Sequence, residues 1–176
     1  NSTMDNYFIR SEQPTRRIRS ALYLDFDNIF SGLLQTDAEA AMRLARSPGC
    51  LLAGLSATST GGTDRNFLVR RAYLNPTGTI ESTEYGNAKG VILLSRFRSD
   101  LVRAGFEVID CPALCSGQKN AADIRMVLDI ADAAATGRYD EFIVASSDSD
   151  FTPLLHRLRA SDLLTTIVST NRTSDA

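Results

Sequence analysis

Three short acidic clusters close apolar runs in this chain: Leu24-Asp25-Phe26-Asp27-Asn28, Lys119-Asn120-Ala121-Ala122-Asp123 and Ser146-Ser147-Asp148-Ser149-Asp150-Phe151. Carboxylates set side by side repel one another unless a cation or a shared proton neutralises them. Distant in sequence, the three clusters are expected to converge on one metal site, and an oxygen-only donor set suits Mg²⁺ or Mn²⁺.

The acids differ in how much a structural role could explain them. Aspartate is depleted in strands and rarely buried without a partner, so Asp25 at a strand end reads as functional. Asp27 and Asn28 either support it or only shape the turn that follows, since Asx side chains bond their own backbone there. Asn120 and Asp123, three apart at a helix start, are either a capping pair or the part of that helix that faces the site. Asp129 lies six residues further on, rotated well off the Asp123 direction at 100° per residue, which suits a supporting or solvated position. Either Asp148 or Asp150 could cap the next helix, and the presence of both favours at least one ligand. Lys119, one of two lysines with Lys89, either pairs with a carboxylate or phosphate or is solvated.

The elements that must position these acids alternate between strand and helix. Ile18 to Leu24 reads as a central parallel strand. Asp37 is expected to cap a helix through Glu39 to Ala45, stopped by Pro48 and Gly49, and Cys50 to Asp64 reads as a flexible loop. Phe67 to Leu74 is a second strand with a turn at Asn75-Pro76-Thr77-Gly78. Val91, Leu94, Phe97, Leu101 and Val102 predict a helix over Ala88 to Ala104, ended by Gly105. Phe106 to Cys111 is a third strand. The helix from about Ala121 to Ala135 is expected to bury Ile124, Val127, Leu128 and Ala131. Phe142 to Ala145 is a fourth strand, Pro153 opens a helix with Leu154, Leu155 and Leu158, and Leu164 to Val168 is a fifth strand. The pattern predicts an α/β fold with a parallel sheet of about five strands, order 3-2-1-4-5, and helices on both faces. That order makes the strands ending at Asp25 and Asp148 neighbours, beside one crevice.

Composition narrows the class. The chain has 176 residues, 43% hydrophobic and 23% charged, with a net charge of -2, enough for a core without disulfides or structural metal. Cys50, Cys111 and Cys115 are too few for a disulfide framework and have no histidine beside them for zinc. No membrane span or signal peptide is visible, and a reducing cytoplasm is the expected location. Residues 1–14 are expected to be a disordered or added segment, with Met4 as the native start, 15–170 the folded domain and 171–176 a tail. The sole histidine, His156, has no identifiable triad partners. No phosphate-binding glycine loop and no Gly-x-Gly-x-x-Gly follows a strand, which removes ATPase and dehydrogenase readings.

Taken in order, the Asp25-Phe26-Asp27-Asn28 strand end, the Lys119 to Asp123 segment with Asp129 downstream, and Ser146-Ser147-Asp148-Ser149-Asp150-Phe151 resemble the NYN domain family of the PIN-like nuclease superfamily. The Gly137-Arg138-Tyr139-Asp140 link resembles it too, and the likeness runs from about Ile18 to Val168. The resemblance implies a PIN-like Rossmannoid sheet and metal-dependent cleavage of RNA, with Asp25, Asp123, Asp148 and Asp150 as the acidic set. Asp27, Asn28, Lys119, Asn120, Ser146 and Asp129 would support it. The family usually has glycine where this chain has Ser147, and Cys50 to Gly90 matches it poorly and is a place for substrate specificity. An appended RNA-binding module beyond Ala176 is compatible with the family, and a homodimer is compatible with the sequence. The implied chemistry is hydrolysis of a phosphodiester assisted by Mg²⁺ or Mn²⁺. Arg65, Arg70, Arg71, Arg96, Arg98 and Arg103 are either a phosphate-binding rim or ordinary surface arginines. Two rivals remain: a haloacid-dehalogenase-like phosphatase with Asp25 as nucleophile, and a non-catalytic RNA- or protein-binding regulatory domain.

Overall fold

The computed structural model describes residues 17–58, 64–84, 88–113 and 121–170. Lys119, Asn120 and Cys115 lie outside them, as do residues 1–14 and the tail.

Five parallel strands form the central sheet: β1 (Ile18–Asp25), β2 (Arg65–Leu74), β5 (Glu107–Asp110), β6 (Glu141–Ala145) and β7 (Leu164–Val168), in the order β5-β2-β1-β6-β7. This is the expected 3-2-1-4-5 order once the two strands of a separate hairpin are set aside. β1 alternates its side chains between two cores. Leu22 and Leu24 face α1 (Phe26–Thr36), α2 (Ala38–Arg46), α3 (Gly49–Ala57) and α4 (Arg98–Arg103), whereas Ala21 and Tyr23 face α5 (Ala121–Ala135) and α6 (Thr152–Ala160). Phe26, Phe30 and Phe97 form the centre of the first core, with ring centroids 5.2–6.0 Å apart. Each such burial is worth roughly 1.5–3 kcal/mol.

Three expectations need correction. Ala88 to Ala104 is not one helix: β4 (Ala88–Leu93) pairs antiparallel with β3 (Thr79–Glu84), and only then do a 3₁₀ turn at Leu94–Phe97 and α4 follow. Ile92 is buried while Val91 and Leu93 are exposed, the period of two that a hairpin imposes. Cys50 to Asp64 is not a loop throughout, because α3 occupies its first part and places Leu55 in the core. The start of α1 was expected only as a turn, yet Phe26, Ile29 and Phe30 are buried on helical spacing.

The buried face of α5 also differs. Met126 and Ile130 are buried, whereas Ile124 and Leu128 are 60% and 57% exposed. The helix carries two apolar stripes, and polar anchors choose between them. Asp129 accepts the Tyr73 hydroxyl at 2.6 Å, and Arg71 on the same strand lies 3.5 Å from its carboxylate. Burial first, and Asp129 second, hold the Tyr73 phenol far above its ordinary value, so it remains a donor.

At the opposite end of the sheet from the acids, Glu141 accepts from Arg65 through both oxygens at 2.8 and 3.1 Å, from Ser20 at 2.8 Å and from Thr166 at 2.6 Å. The side chains of the ion pair are 5% and 3% exposed. Burial alone would raise Glu141, but Arg65 and the two hydroxyls hold its carboxyl below the usual range. Arg65 also donates to the Leu55 carbonyl near the end of α3. It is therefore a structural cation, and the expectation that it contacts RNA is corrected.

Candidate active site

β1 runs buried into Asp25, which by strand alternation takes the Tyr23 side of the sheet and is 4% exposed. Ser146 follows β6, the neighbour of β1, and its hydroxyl donates to Asp25 Oδ2 at 3.2 Å. Asn28 Oδ1, in the first turn of α1, accepts the Ser147 amide at 2.8 Å. Ser146 Oγ accepts the Asp148 amide at 3.2 Å, and Asp148 Oδ1 accepts the Asp150 amide at 2.9 Å. These bonds hold the turn that presents both acids. Asp123 arrives from the first turn of α5, where its carboxyl feels the charges of Asp25 and Asp148. One oxygen from each of Asp123, Asp148 and Asp150 lies within 4.8 Å of the others. Asp25 lines the same cleft as Asp123 and Asp148.

Electrostatically the cluster is strained. Burial, then the charge of Asp27, raises Asp25 to about 6, partly offset by its contacts with Asp123 and Ser146. Burial, then Asp25 and Asp148, raise Asp123 to about 7. Burial raises Asp27 to about 6 although one oxygen accepts the Asn75 amide at 2.9 Å. Its other oxygen, Oδ1, is buried with no hydrogen-bond partner among the described residues. Burial and mutual repulsion both favour the protonated carboxyls, and a bound cation would relieve both costs. The donor set fits a hard divalent cation, because every candidate atom is a carboxylate oxygen and one of them is left unbonded.

A pH dependence follows. The folded carboxyls bind protons more tightly than unfolded ones, so their stabilisation is complete below the ordinary value of 3.8 and lost as pH rises through about 6 to 7. Cation-free protein is expected to melt higher at about pH 5.5 than at about pH 7.5, and Mn²⁺ to raise the melting temperature more at the higher pH. Thermal melts at both values, with EDTA and with Mn²⁺, check this.

Asp25, Asp27, Asp123 and Asp148 line a cleft of about 510 Å³ whose other walls include Asn75, Thr79 and Ile80 at the foot of the β3–β4 hairpin. Sequence reasoning did not place these residues at the site; the Asn75-Pro76-Thr77-Gly78 turn was their only signal. Ser147, at the expected glycine, has no left-handed backbone, since Asp162 is the non-glycine residue with positive φ among the described residues. Its hydroxyl lies 2.8 Å from Thr170 Oγ1 and accepts the Thr170 amide at 3.0 Å. The residues after β6 are thereby fastened to those after β7. Gly32 makes room for this contact: a Cβ there would come within 2.5 Å of Thr170 Oγ1.

Among the remaining expected residues, Asp129 anchors α5 to Tyr73 and is not grouped with the clustered acids. Arg71 pairs with Glu107 and Asp129, Arg98 with Asp110 and Arg103 with Asp100. Arg70 lies over Phe67 and Arg96 over Phe97. No helix among the described residues is long and apolar enough to cross a membrane.

A crystal structure of a protein of unknown function from Vibrio parahaemolyticus has the same fold, with a TM-score of 0.60 and 20% identity over 90% of this chain and 85% of that one. A comparison with curated proteins finds no match. The NYN domain family model matches residues 19–176. With its nuclease-like α/β fold and its cluster of three acids, the chain belongs to the NYN domain family.

Proposed function

We propose that the protein is a metal-dependent ribonuclease that hydrolyses RNA phosphodiester bonds at the Asp25–Asp123–Asp148–Asp150 cluster. The observation that carries this reading is the convergence of Asp123, Asp148 and Asp150 within 4.8 Å, with Asp25 lining the same cleft as Asp123 and Asp148. Mg²⁺ or Mn²⁺, held by these carboxylates with Asp27 alongside, would neutralise charge at the phosphate and make nearby water more acidic.

The chain's own residues prepare that chemistry. Ser146 and Asn28 fix Asp25 and the turn after β6, so the acids meet a substrate without rearranging. Burial of Asp25 keeps water away from the cleft floor and strengthens electrostatic attraction there. Asp123, raised to about 7 without a cation, would be held ionised by the bound metal and so serve as a ligand near neutral pH. The hairpin foot at Asn75 and Thr79 faces the same cleft, which suits a role in substrate choice for the segment that matched the family poorly in sequence. No covalent enzyme intermediate is required.

The test is cleavage of labelled single-stranded RNA with Mn²⁺, Mg²⁺ or EDTA by the wild type, Asp25→Asn and Asp148→Asn proteins purified identically. Metal-dependent cutting lost in both variants is expected. Cutting retained in both would reveal a contaminant, and a trapped aspartyl-phosphate on Asp25 would favour the phosphatase instead. Binding of RNA that persists with EDTA and in Asp25→Asn, without any cutting, would favour a regulatory domain.

A further inference from the structure

Arg125 was not among the arginines expected to meet RNA, and its placement sets it apart from them. It lies two residues beyond Asp123 on α5 and one turn below Ala121 and Ala122, both of which line the cleft.

Its guanidinium is also held. Nε donates to both oxygens of Asp129 at 3.1 and 3.2 Å. Asp129 is itself fixed by the Tyr73 hydroxyl at 2.6 Å and by Arg71 at 3.5 Å, and is only 12% exposed. The Arg125 side chain is 52% exposed, and its two terminal nitrogens make no hydrogen bond to another described residue. Its charge is felt at Cys111, another residue of the cleft lining. A planar fork anchored by one nitrogen and open at the other two is pre-oriented for bidentate contact with a phosphate.

Building on the ribonuclease reading, we propose that Arg125 binds a backbone phosphate of the RNA strand next to the one being cut, with Asp129 as its positioning residue. This gives Asp129 a second task, because the carboxylate that sets the rotation of α5 also aims the cation. Of the arginines expected to form a rim, Arg65 is buried and Arg71, Arg98 and Arg103 have acid partners. Arg125 spends only Nε on its own.

The test separates binding from cutting by using Asp25→Asn as the background. Affinity for a fluorescein-labelled ten-nucleotide uridine RNA is measured by anisotropy between about 50 and 300 mM KCl, a range over which phosphate contacts weaken strongly. Asp25→Asn/Arg125→Gln is expected to bind roughly tenfold more weakly at the lowest salt and to lose about 0.7 from its log–log salt slope, one single-strand phosphate contact. Asp25→Asn/Arg125→Lys keeps the charge and is expected to keep the slope, which a merely structural defect would not do. An unchanged slope in the glutamine variant, or an equal loss in the lysine variant, overturns the assignment while wild-type cleavage still stands. Failure of Asp25→Asn to bind the RNA, with no cleavage by the wild type, overturns both readings.

Discussion

Asp25→Asn and Asp123→Asn are each expected to lower metal-dependent RNA cleavage by roughly 10²–10³-fold or more, the scale for removing one preorganised electrostatic group from an active site. The same substitutions are expected to raise the melting temperature of the cation-free protein at neutral pH. The reason is burial: an ionised Asp25 at 4% exposure, beside Asp27 and Asp123, is a net cost to the fold. Asparagine keeps an oxygen for the Ser146 hydroxyl and removes the charge. At roughly 2–4 °C per kcal/mol for a domain of this size, a gain of several degrees is expected for Asp25→Asn. Mn²⁺ should stabilise the variants less than the wild type. Thermal melts with EDTA and with Mn²⁺, run beside the cleavage assay, check both halves, and loss of activity with a lowered cation-free melting temperature would refute the explanation.

The second large effect lies at the other end of the sheet. Glu141→Gln leaves Arg65 as a buried cation without its counter-charge and is expected to cost about 3–5 kcal/mol, a large share of the roughly 5–15 kcal/mol that holds a domain together. Urea unfolding measures it directly. Arg65→Met/Glu141→Leu is expected to recover part of the loss, since an apolar pair removes the orphaned charge. Recovery stays incomplete because Ser20, Thr166 and the Leu55 carbonyl lose their partners. Neither change touches the cleft, so the folded fraction should keep its cleavage rate.

The order of the main sheet was legible because its strands are short apolar runs bounded by acids and turns, and because right-handed crossovers leave few arrangements. The hairpin was not, since Val91, Leu94, Phe97 and Leu101 satisfy a helical period while Val91, Ile92 and Leu93 equally satisfy a strand. What decided was a partner, β3, that no local pattern reveals. Asp25, Asp123, Asp148 and Asp150 could be proposed because acids at strand ends and helix starts have few other reasons to be there. Arg65 was out of reach of sequence reasoning because an arginine's role depends on which carboxylate it meets, and Glu141 is 76 residues from Arg65.

The two apolar stripes of α5 carry a consequence for how such a site can evolve. Hydrophobic burial discriminates poorly between faces that offer Met126 and Ile130 or Ile124 and Leu128, so oil alone leaves the azimuth of the helix underdetermined. The Tyr73–Asp129 bond fixes it, and with it the direction in which Asp123 points. Substitutions among the aliphatic residues of α5 can therefore drift without misaiming the acid, whereas losing one phenolic hydroxyl on a neighbouring strand would leave the helix packed and its carboxylate free to swing away.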